Sequence, residues 1–327
     1  MRVKERHQPS WGSRSKKNPE SSPPKKDLFL SPFIKGVVSR SLHYLSAGFP
    51  VHLTGPSGVG KTSVALDVAR KRERPVTFIH GNHEMNNRDL IGGFTGYTRR
   101  KMVDNYIRTV YKAEEEMRED WQDGRLLHAV RKGHTVVYDE FTRSRPETNN
   151  LFLSLLEEGV LPLYGKKEGE TFVRAHPDFS ILFTSNPEEY VGNYQSQDAL
   201  LDRMLTIDMD FLDEETETGI IAKKAGVDPR KAAIVHRLVK SVRELYTEEE
   251  NDNADGGGPS IRAAIMIAQI AKESDIPIDP ADQAFHALCL DAVWLSVYRR
   301  GKGMKKQQVR WDIQEAIRKE VKGGKKG

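Results

Sequence analysis

The strongest constraint on the fold of this chain is one glycine-rich segment of eight residues. It runs Gly55-Pro56-Ser57-Gly58-Val59-Gly60-Lys61-Thr62 and matches the pattern G-x-x-x-x-G-K-[ST] at every position. A short apolar run, Val51–Thr54, precedes the segment, and a helical pattern, Lys61–Arg72, opens within it. In that setting backbone N–H groups reach phosphate oxygens at a helix N-terminus. Lys61 would neutralise β- and γ-phosphate charge, and the Thr62 hydroxyl would ligate Mg²⁺. The segment therefore predicts a nucleotide-binding loop between a strand and a helix.

Strand and helix patterns alternate over the first two thirds of the chain. Further strands are predicted at Val76–His80, Thr135–Tyr138, Phe179–Thr184 and Leu205–Met209, with helical patterns between most of them. Alternation at these lengths is typical of an α/β fold with a doubly wound parallel sheet.

From about Asp210 onward only helices are predicted, so a small all-helical lid domain follows the α/β domain. The predicted helices are Glu214–Ala225, Pro229–Thr247, Ser260–Glu273 and Pro280–Tyr298. We therefore expect four parts: a disordered basic N-terminal arm (1–27), an α/β nucleotide-binding domain (28–212), the helical lid (213–298) and a basic C-terminal tail (299–327).

Charge is distributed unevenly along the 327 residues. The net charge is +4, of which residues 1–27 contribute +5 and residues 299–327 contribute +8, leaving −9 for the rest. Basic ends of this kind can bind nucleic acid or another anionic partner. They are also typical of solvated, disordered ends, which is the interpretation that we adopt.

Composition excludes several classes of protein. No stretch approaches 18 consecutive apolar residues, so no membrane span is predicted, and residues 1–27 lack the apolar core of a secretory signal. The single cysteine, Cys289, excludes an internal disulfide framework and a cysteine-rich metal site. It fits a reducing cytosol.

Two acids and an amide follow predicted strands. Asp139 and Glu140 end an apolar strand, where side chains enter the crevice in which α/β sheets bind ligands. We expect Asp139 to hold Mg²⁺ through water and Glu140 to polarise the attacking water. Without the phosphate loop, the pair would be an ordinary solvated strand end. Asn186 follows the next strand and is expected to bind the γ-phosphate or the lytic water, although before a proline it is also a common turn residue.

Arginines supply the remaining positive charge that phosphoryl transfer needs. Arg203 lies just before the last strand and is a candidate for a finger that reaches into a neighbouring subunit. Arg262 opens a lid helix whose predicted N-cap is Ser260. Surface ion pairs are the alternative for both arginines. Arg143 and Arg145 are rival candidates for the role in the neighbouring site.

The stretch between the second and third strands is unusually long. Within Met102–Trp121, apolar residues recur at three- and four-residue spacing among many charges, which predicts an amphipathic helix. The helix would be buried against its own domain or would form an insertion that faces a partner.

The order of these motifs resembles that of the AAA+ ATPases, and the sequence is most similar to their MoxR branch. The similarity to that branch lies in four segments: Leu90-Ile91-Gly92, Gly124-Arg125-Leu126, Asp139-Glu140-Phe141-Thr142-Arg143 and the hairpin-like Glu158–Arg174. The chain also resembles the gas vesicle group within that branch. This resemblance lies in three segments: Asp139–Asn150, Ser185–Tyr190 and Gln197–Arg203.

This resemblance, over about residues 28 to 272, implies a role for each matching position. Gly55–Thr62 would be Walker A, Asp139 and Glu140 Walker B, Asn186 sensor 1, Arg203 the arginine finger and Arg262 sensor 2. It implies a ring-like homo-oligomer, often a hexamer, with ATP at subunit interfaces. It also implies Mg²⁺-dependent ATP hydrolysis that remodels gas vesicle shell or assembly proteins in the cytoplasm, in association with the vesicles.

Two other functions stay open on the sequence. One is a MoxR-type chaperone that activates a metalloenzyme or a carboxylase, because the nucleotide site does not determine the client. The other is a nucleotide-switched structural or nucleic-acid-binding module, which the basic ends would serve.

Overall fold

The computed structural model describes residues 28–103, 113–164, 170–186, 195–209, 212–245, 258–300 and 304–323. The predicted N-terminal arm lies outside these ranges. The α/β region contains, in chain order, α1 (Pro32–Ser46), β1 (Val51–Thr54), α2 (Lys61–Lys71), β2 (Val76–His80), α3 (Asn87–Ile91), β3 (Gly92–Val103), β4 (Ala113–Asp123), α4 (Arg125–Lys132), β5 (Thr135–Asp139), a 3₁₀ turn (Phe141–Arg143), α5 (Pro146–Asn149), α6 (Leu151–Glu157), β6 (Val160–Pro162), β7 (Phe172–Arg174), β8 (Ser180–Thr184), α7 (Gln195–Leu201) and β9 (Leu205–Asp208). The helical region contains α8 (Glu214–Ala225), α9 (Pro229–Arg243), α10 (Ile261–Glu273), α11 (Gln283–Arg300) and α12 (Lys306–Gly323).

Five strands form one parallel sheet in the order β2-β5-β8-β1-β9. The side chains of β5 alternate between two buried clusters: Val136 and Tyr138 lie in one and Val137 in the other. Helices α1 and α2 contribute to the cluster with Val137, and α4 and α6 contribute to the opposite one. Because helices cover both faces, the prediction of a doubly wound α/β sheet is confirmed.

The helical region has a core of its own. All five helices α8 to α12 contribute buried residues to it, including Phe285, Val293 and Cys289. Burial raises the pKa of the Cys289 thiol to about 12. The last sheet strand ends at Asp208 and α8 begins at Glu214, so the predicted domain boundary at residues 212 and 213 falls between them and remains a proposal.

Helix α12 occupies part of the predicted basic tail, so the tail prediction was wrong for that segment. Val309, Ile313 and Ile317, spaced four residues apart, are completely buried in the helical core. This spacing forms one apolar helix face among the basic residues. The high net positive charge of the segment favoured the tail prediction over this apolar helix face.

The predicted amphipathic helix at Met102–Trp121 was also wrong. The described part of the segment belongs to an antiparallel hairpin of β3 and β4, and residues 104–112 lie outside the described ranges. The backbone register places Arg100 opposite Glu116 and Lys101 opposite Glu115. Frequent charges along a segment suggest an exposed helix face. The same pattern is equally compatible with two strands that place opposite charges in register. The predicted hairpin-like segment, Glu158–Arg174, is confirmed by the antiparallel pairing of β6 with β7.

Candidate functional site

The phosphate loop leaves β1 and enters α2 as predicted. Gly55 has a φ of +139°, and a Cβ added to it would lie 2.1 Å from the Met209 carbonyl oxygen, so the start of the loop must be glycine. Helix α2 begins at Lys61. The first N–H groups of a helix have no partner within the helix, and together with the helix dipole they make this end favourable for an anion.

The loop also touches the helical region. Gly58 has a φ of +93°, and an added Cβ would lie 2.7 Å from the Cβ of Ser260, the residue that caps α10. Loop, sheet edge and helical region together enclose a cleft with about 970 Å³ of space free of atoms, part of it open to solvent. Its lining includes Ser57–Thr62, Glu140, Asn186 and Arg262.

We expect Gly58→Ala to lower the affinity for ADP about tenfold or more. The added methyl group clashes with Ser260, and the left-handed backbone costs an L-residue roughly 1–2 kcal/mol. Calorimetric titration with ADP measures the effect. Gly48→Ala is the matched control, because Gly48 has a φ of +86° and open space around it. Equal ADP affinity in Gly58→Ala and the unmodified chain would contradict the expectation.

Lys61 reaches back over the loop. Its Nζ donates to the carbonyl oxygens of Gly55 (2.6 Å) and Pro56 (2.8 Å). The ammonium is thus held above the loop, within the lining of the cleft. Phosphate oxygens are stronger acceptors than these carbonyls, so they can replace them.

Asp139 joins three elements below the loop. Its Oδ1 accepts from the Thr62 hydroxyl of α2 (2.5 Å) and from the Thr184 hydroxyl of β8 (2.7 Å). The residue is buried, with 6% of its surface exposed. The parallel pairing of β5 with β8 brings the two strand ends together, and hydrogen bonds fix the carboxylate beside Thr62.

Glu140 sits in a left-handed backbone conformation, with a φ of +51°. Its N–H donates to the Thr184 hydroxyl at 3.0 Å. This turn directs the residue into the cleft lining, and the carboxylate pairs with the Arg143 guanidinium at 2.8 Å. A non-glycine residue with positive φ at the end of a central strand stores strain, which is common at functional sites.

His80 belongs to the site, and the sequence interpretation missed it. Its ring nitrogens lie 3.3 Å from Asp139 Oδ2 and 3.5 Å from Glu140 Oε2. The available signal was the pairing of parallel strands: β2 ends at His80, which is in register with Asp139 at the end of β5.

The remaining predicted site residues divide into two groups. Asn186 and Arg262 line the cleft, and the Asn186 Oδ1 is buried without a hydrogen-bond partner among the described residues. Arg203 does not line the cleft. Its guanidinium binds the Glu157 carboxylate at 2.8 Å and the Ala199 carbonyl oxygen at 2.5 Å. Of the two rival arginines, Arg143 lines the cleft, whereas exposed Arg145 is not part of its lining.

The oxygen atoms around Asp139 suit a magnesium ion that is bound by few protein ligands. Thr62 Oγ1 and Asp139 Oδ1 lie next to each other, and the unpartnered Asn186 oxygen lies in the wall of the same cleft. The described residues contain no group of three or more His, Cys, Asp or Glu side chains that could hold a metal. Mg²⁺ at nucleotide sites usually keeps several waters and binds phosphate oxygens, so it does not need such a group.

A buried histidine connects the neighbouring strands. His52 of β1 has Nε2 2.8 Å from the Ser185 hydroxyl and Nδ1 3.1 Å from the Thr206 hydroxyl. Burial, with added repulsion from the Lys61 ammonium, lowers the pKa of His52 to about 4. The ring is therefore neutral at pH 7 and links the end of β8, next to Asn186, with β9.

His52 gives a pH prediction for stability. Its pKa falls from 6.5 to about 4 on folding, so its contribution is complete above pH 6.5 and is lost as the pH falls towards 4. The loss amounts to about 3 kcal/mol of the free energy of unfolding. Urea unfolding at a series of pH values measures it. We expect His52→Gln to remove this part of the pH dependence, and an unchanged slope would contradict the assignment.

Comparisons with known proteins identify the family. The chain is 39% identical to the gas vesicle ATPase GvpN of Ancylobacter aquaticus over 279 residues, which cover 85% of this chain and 76% of that protein. It is 42% identical to the gas vesicle ATPase GvpN1 of Halobacterium salinarum, over 82% of this chain and 74% of that protein. The chain belongs to the GvpN family of gas vesicle ATPases. Residues 50–204 also match the family described as AAA domain, dynein-related subfamily.

GvpN membership confirms the predictions of an AAA+ fold and of an ATP hydrolase. A more distant relative is the protein CbbQ of Hydrogenophilus thermoluteolus, 32% identical over 58% of this chain and 63% of that protein. This similarity agrees with the predicted place of the chain in the MoxR branch. Within the described part of the chain, every helix is too short or too polar to cross a membrane.

Proposed function

We propose that the chain is a Mg²⁺-dependent ATPase that uses hydrolysis to remodel partner proteins during gas vesicle assembly. One observation carries the proposal: the phosphate loop, the pair Thr62–Asp139 and the Glu140 carboxylate meet at a single cleft between the sheet edge and the helical region. Family membership supports the gas vesicle setting.

The cleft residues divide the work of phosphoryl transfer. Lys61 exchanges its carbonyl partners for phosphate oxygens, and the Asn186 amide binds the γ-phosphate or the attacking water. Thr62 and Asp139 would hold Mg²⁺, Asp139 through water. When bound, the ion would neutralise negative charge on the phosphates.

Glu140 acts as the general base in this scheme. Its carboxylate is held in the cleft by the Arg143 ion pair, and it must exchange that partner for water before it can accept a proton. Arg262 enters the same cleft from α10 and neutralises phosphate charge from the helical side.

Self-association completes the site in our proposal. Arg203 pairs with Glu157 on the surface and does not line the cleft of its own chain, so a second copy is needed to bring it to a nucleotide. An assembly in which one face of a subunit meets a different face of the next forms a ring when the rotation between neighbours closes. We propose a ring-like homo-oligomer, with a hexamer as the expected size.

The gas vesicle relatives support a proposal for the clients and the location of this chain. We propose gas vesicle shell or assembly proteins as the clients, a cytoplasmic location and association with the vesicles, because the relatives carry the name gas vesicle ATPase.

The proposal is tested by phosphate release measured against protein concentration, with and without Mg²⁺, alongside size measurements with and without ATP. We expect activity that needs Mg²⁺ and rises with self-association. Purified gas vesicle proteins should then change the rate when added, whereas an unrelated unfolded protein should not. Failure to bind or hydrolyse ATP would refute the proposal.

A second candidate is a MoxR-type chaperone that activates a metalloenzyme or a carboxylase. The similarity to CbbQ favours it, because the shared part includes the nucleotide site but leaves the client open. Pull-down from cells that contain the gas vesicle proteins separates the two candidate functions, since they predict different captured clients. A nucleic-acid module is less well supported, because Val309, Ile313 and Ile317 use one face of the basic α12 for packing.

A further inference from the structure

A network of buried charged groups lies inside the helical region, away from the cleft. The Glu217 carboxylate of α8 accepts from both terminal nitrogens of Arg243, at 3.2 and 3.3 Å. It also lies 3.0 Å from Nε2 of His236 in α9. The side chains of Glu217 and His236 are each 4% exposed. The carboxylate is thus fully enclosed and well partnered.

Arg243 makes a further bond outside this network. Its Nε donates to the carbonyl oxygen of Pro259 at 3.1 Å. The chain passes close by at Gly258, where an added Cβ would lie 3.1 Å from the Arg243 Cα. Pro259 itself is buried. One guanidinium therefore ties the C-terminal end of α9 to the turn that leads into α10.

That turn contacts the nucleotide cleft. Ser260 caps α10 and packs on Gly58 of the phosphate loop. Arg262 follows two residues later and lines the cleft, together with Ile261 and Ile265. A movement of the turn would therefore shift both the contact with the loop and the cleft arginine.

The chemistry of the network indicates that its role is to orient the Arg243 guanidinium and not to stabilise the fold. A buried ion pair adds little to stability compared with apolar residues of similar volume, so burial alone does not require these charges. A guanidinium offers donors in a fixed planar fork, which allows it to bind a carboxylate and a carbonyl in set directions. Although burial raises the pKa of Glu217, hydrogen bonds from His236 and Arg243 and their charges hold it below its usual value. Glu217 therefore stays ionised and holds the fork in place.

We propose that Arg243 is a positioning residue for the nucleotide site: it fixes the turn at residues 258–262 so that Ser260 packs on the phosphate loop and Arg262 enters the cleft. This inference rests on the proposed function, because it takes Arg262 to contact the bound nucleotide.

The test is a double-mutant cycle on ADP affinity and ATP turnover. Arg243→Lys keeps a positive charge beside Glu217 but lacks the fork that also reaches Pro259. We expect it to lower both quantities about three- to tenfold, and Arg262→Ala to lower them about tenfold. Because part of the effect of Arg243 passes through Arg262, the combined variant should lose clearly less than the product of the two single losses. Arg237→Lys, an exposed arginine on the same helix, is the matched control and should leave both quantities unchanged.

A merely structural role predicts losses that multiply in the combined variant, and that result would overturn the inference. An unchanged affinity and turnover in Arg262→Ala would also overturn it. If Arg243→Lys does not fold, Gly258→Ala replaces it in the cycle, because the added methyl group lies 3.1–3.2 Å from the backbone and Cγ of Arg243 and strains its contact with the turn, while every charged group is kept. If the unmodified chain binds ADP but does not hydrolyse ATP, the proposed function fails, while the cycle on ADP affinity still decides the inference. Loss of both activities in the unmodified chain overturns both.

Discussion

Replacing Arg203 by Ala is expected to lower ATP turnover about 1,000-fold, while ATP affinity changes little. A guanidinium that stabilises charge in the transition state of phosphoryl transfer typically raises the rate by about this factor or more. The physical reason is positional: Arg203 lies outside the cleft of its own chain, and in our proposal it acts on the nucleotide of a neighbour. Phosphate release at saturating ATP, at a protein concentration that supports assembly, measures the change.

Mixing two inactive variants tests whether Arg203 acts between subunits. Lys61→Ala removes a phosphate ligand from its own site but keeps Arg203, and Arg203→Ala does the opposite. An equal, randomly assembled mixture should regain about a quarter of the unmodified activity, because one half of the sites are intact and one half of their neighbours carry the arginine. A mixture as inactive as its components would contradict a role in the neighbouring site.

The matched control is Glu157→Ala. It removes the partner of Arg203 in the same chain but leaves the guanidinium in place, and this ion pair is exposed enough to contribute little to stability. We expect turnover close to that of the unmodified chain. A loss equal to that of Arg203→Ala would instead assign Arg203 a structural role through Glu157.

Glu140→Gln is expected to lower ATP turnover at least about 100-fold and to keep ATP affinity within about threefold. Glutamine has the shape of glutamate but cannot accept the proton of the attacking water, and general-base catalysis contributes on the order of 100- to 10,000-fold. Single-turnover hydrolysis and ATP titration, carried out on the same sample, separate the two effects.

Glu147→Gln controls for the loss of a carboxylate, since Glu147 is exposed on α5 and does not line the cleft. It should turn over ATP at the unmodified rate. Turnover within about twofold of the unmodified chain in Glu140→Gln would remove Glu140 from the chemistry. The ion pair with Arg143 would then be its main role.

Much of the fold was predictable because its signals are local. The strands Val51–Thr54 and Val76–His80 and the helix Glu214–Ala225 have the bounds that the sequence predicts. In each case apolar spacing and neighbouring turn residues act within a few positions along the chain. Ser260 likewise caps α10 as its residue type predicts.

The wrong predictions arose where a local pattern fits two structures. The charge-rich segment that ends at Trp121 has helical spacing, yet β4 pairs with β3 along its whole length. The basic segment that follows residue 299 has the composition of a tail, yet its apolar residues complete the helical core. In both cases the deciding partner lies elsewhere in the chain, so the segment alone does not contain the answer.

The sequence by itself determined the phosphate loop, the parallel α/β sheet that carries it and the kinds of side chain at the strand ends. Only the tertiary structure decided which groups meet: Asp139 with Thr62 and His80, Gly58 with Ser260, and Arg203 with Glu157. The physical reason is the distance along the chain between the residues that interact. Helix and strand patterns follow from interactions between near neighbours, whereas these contacts join residues 46 or more positions apart and form only when sheet pairing and helix packing bring them together.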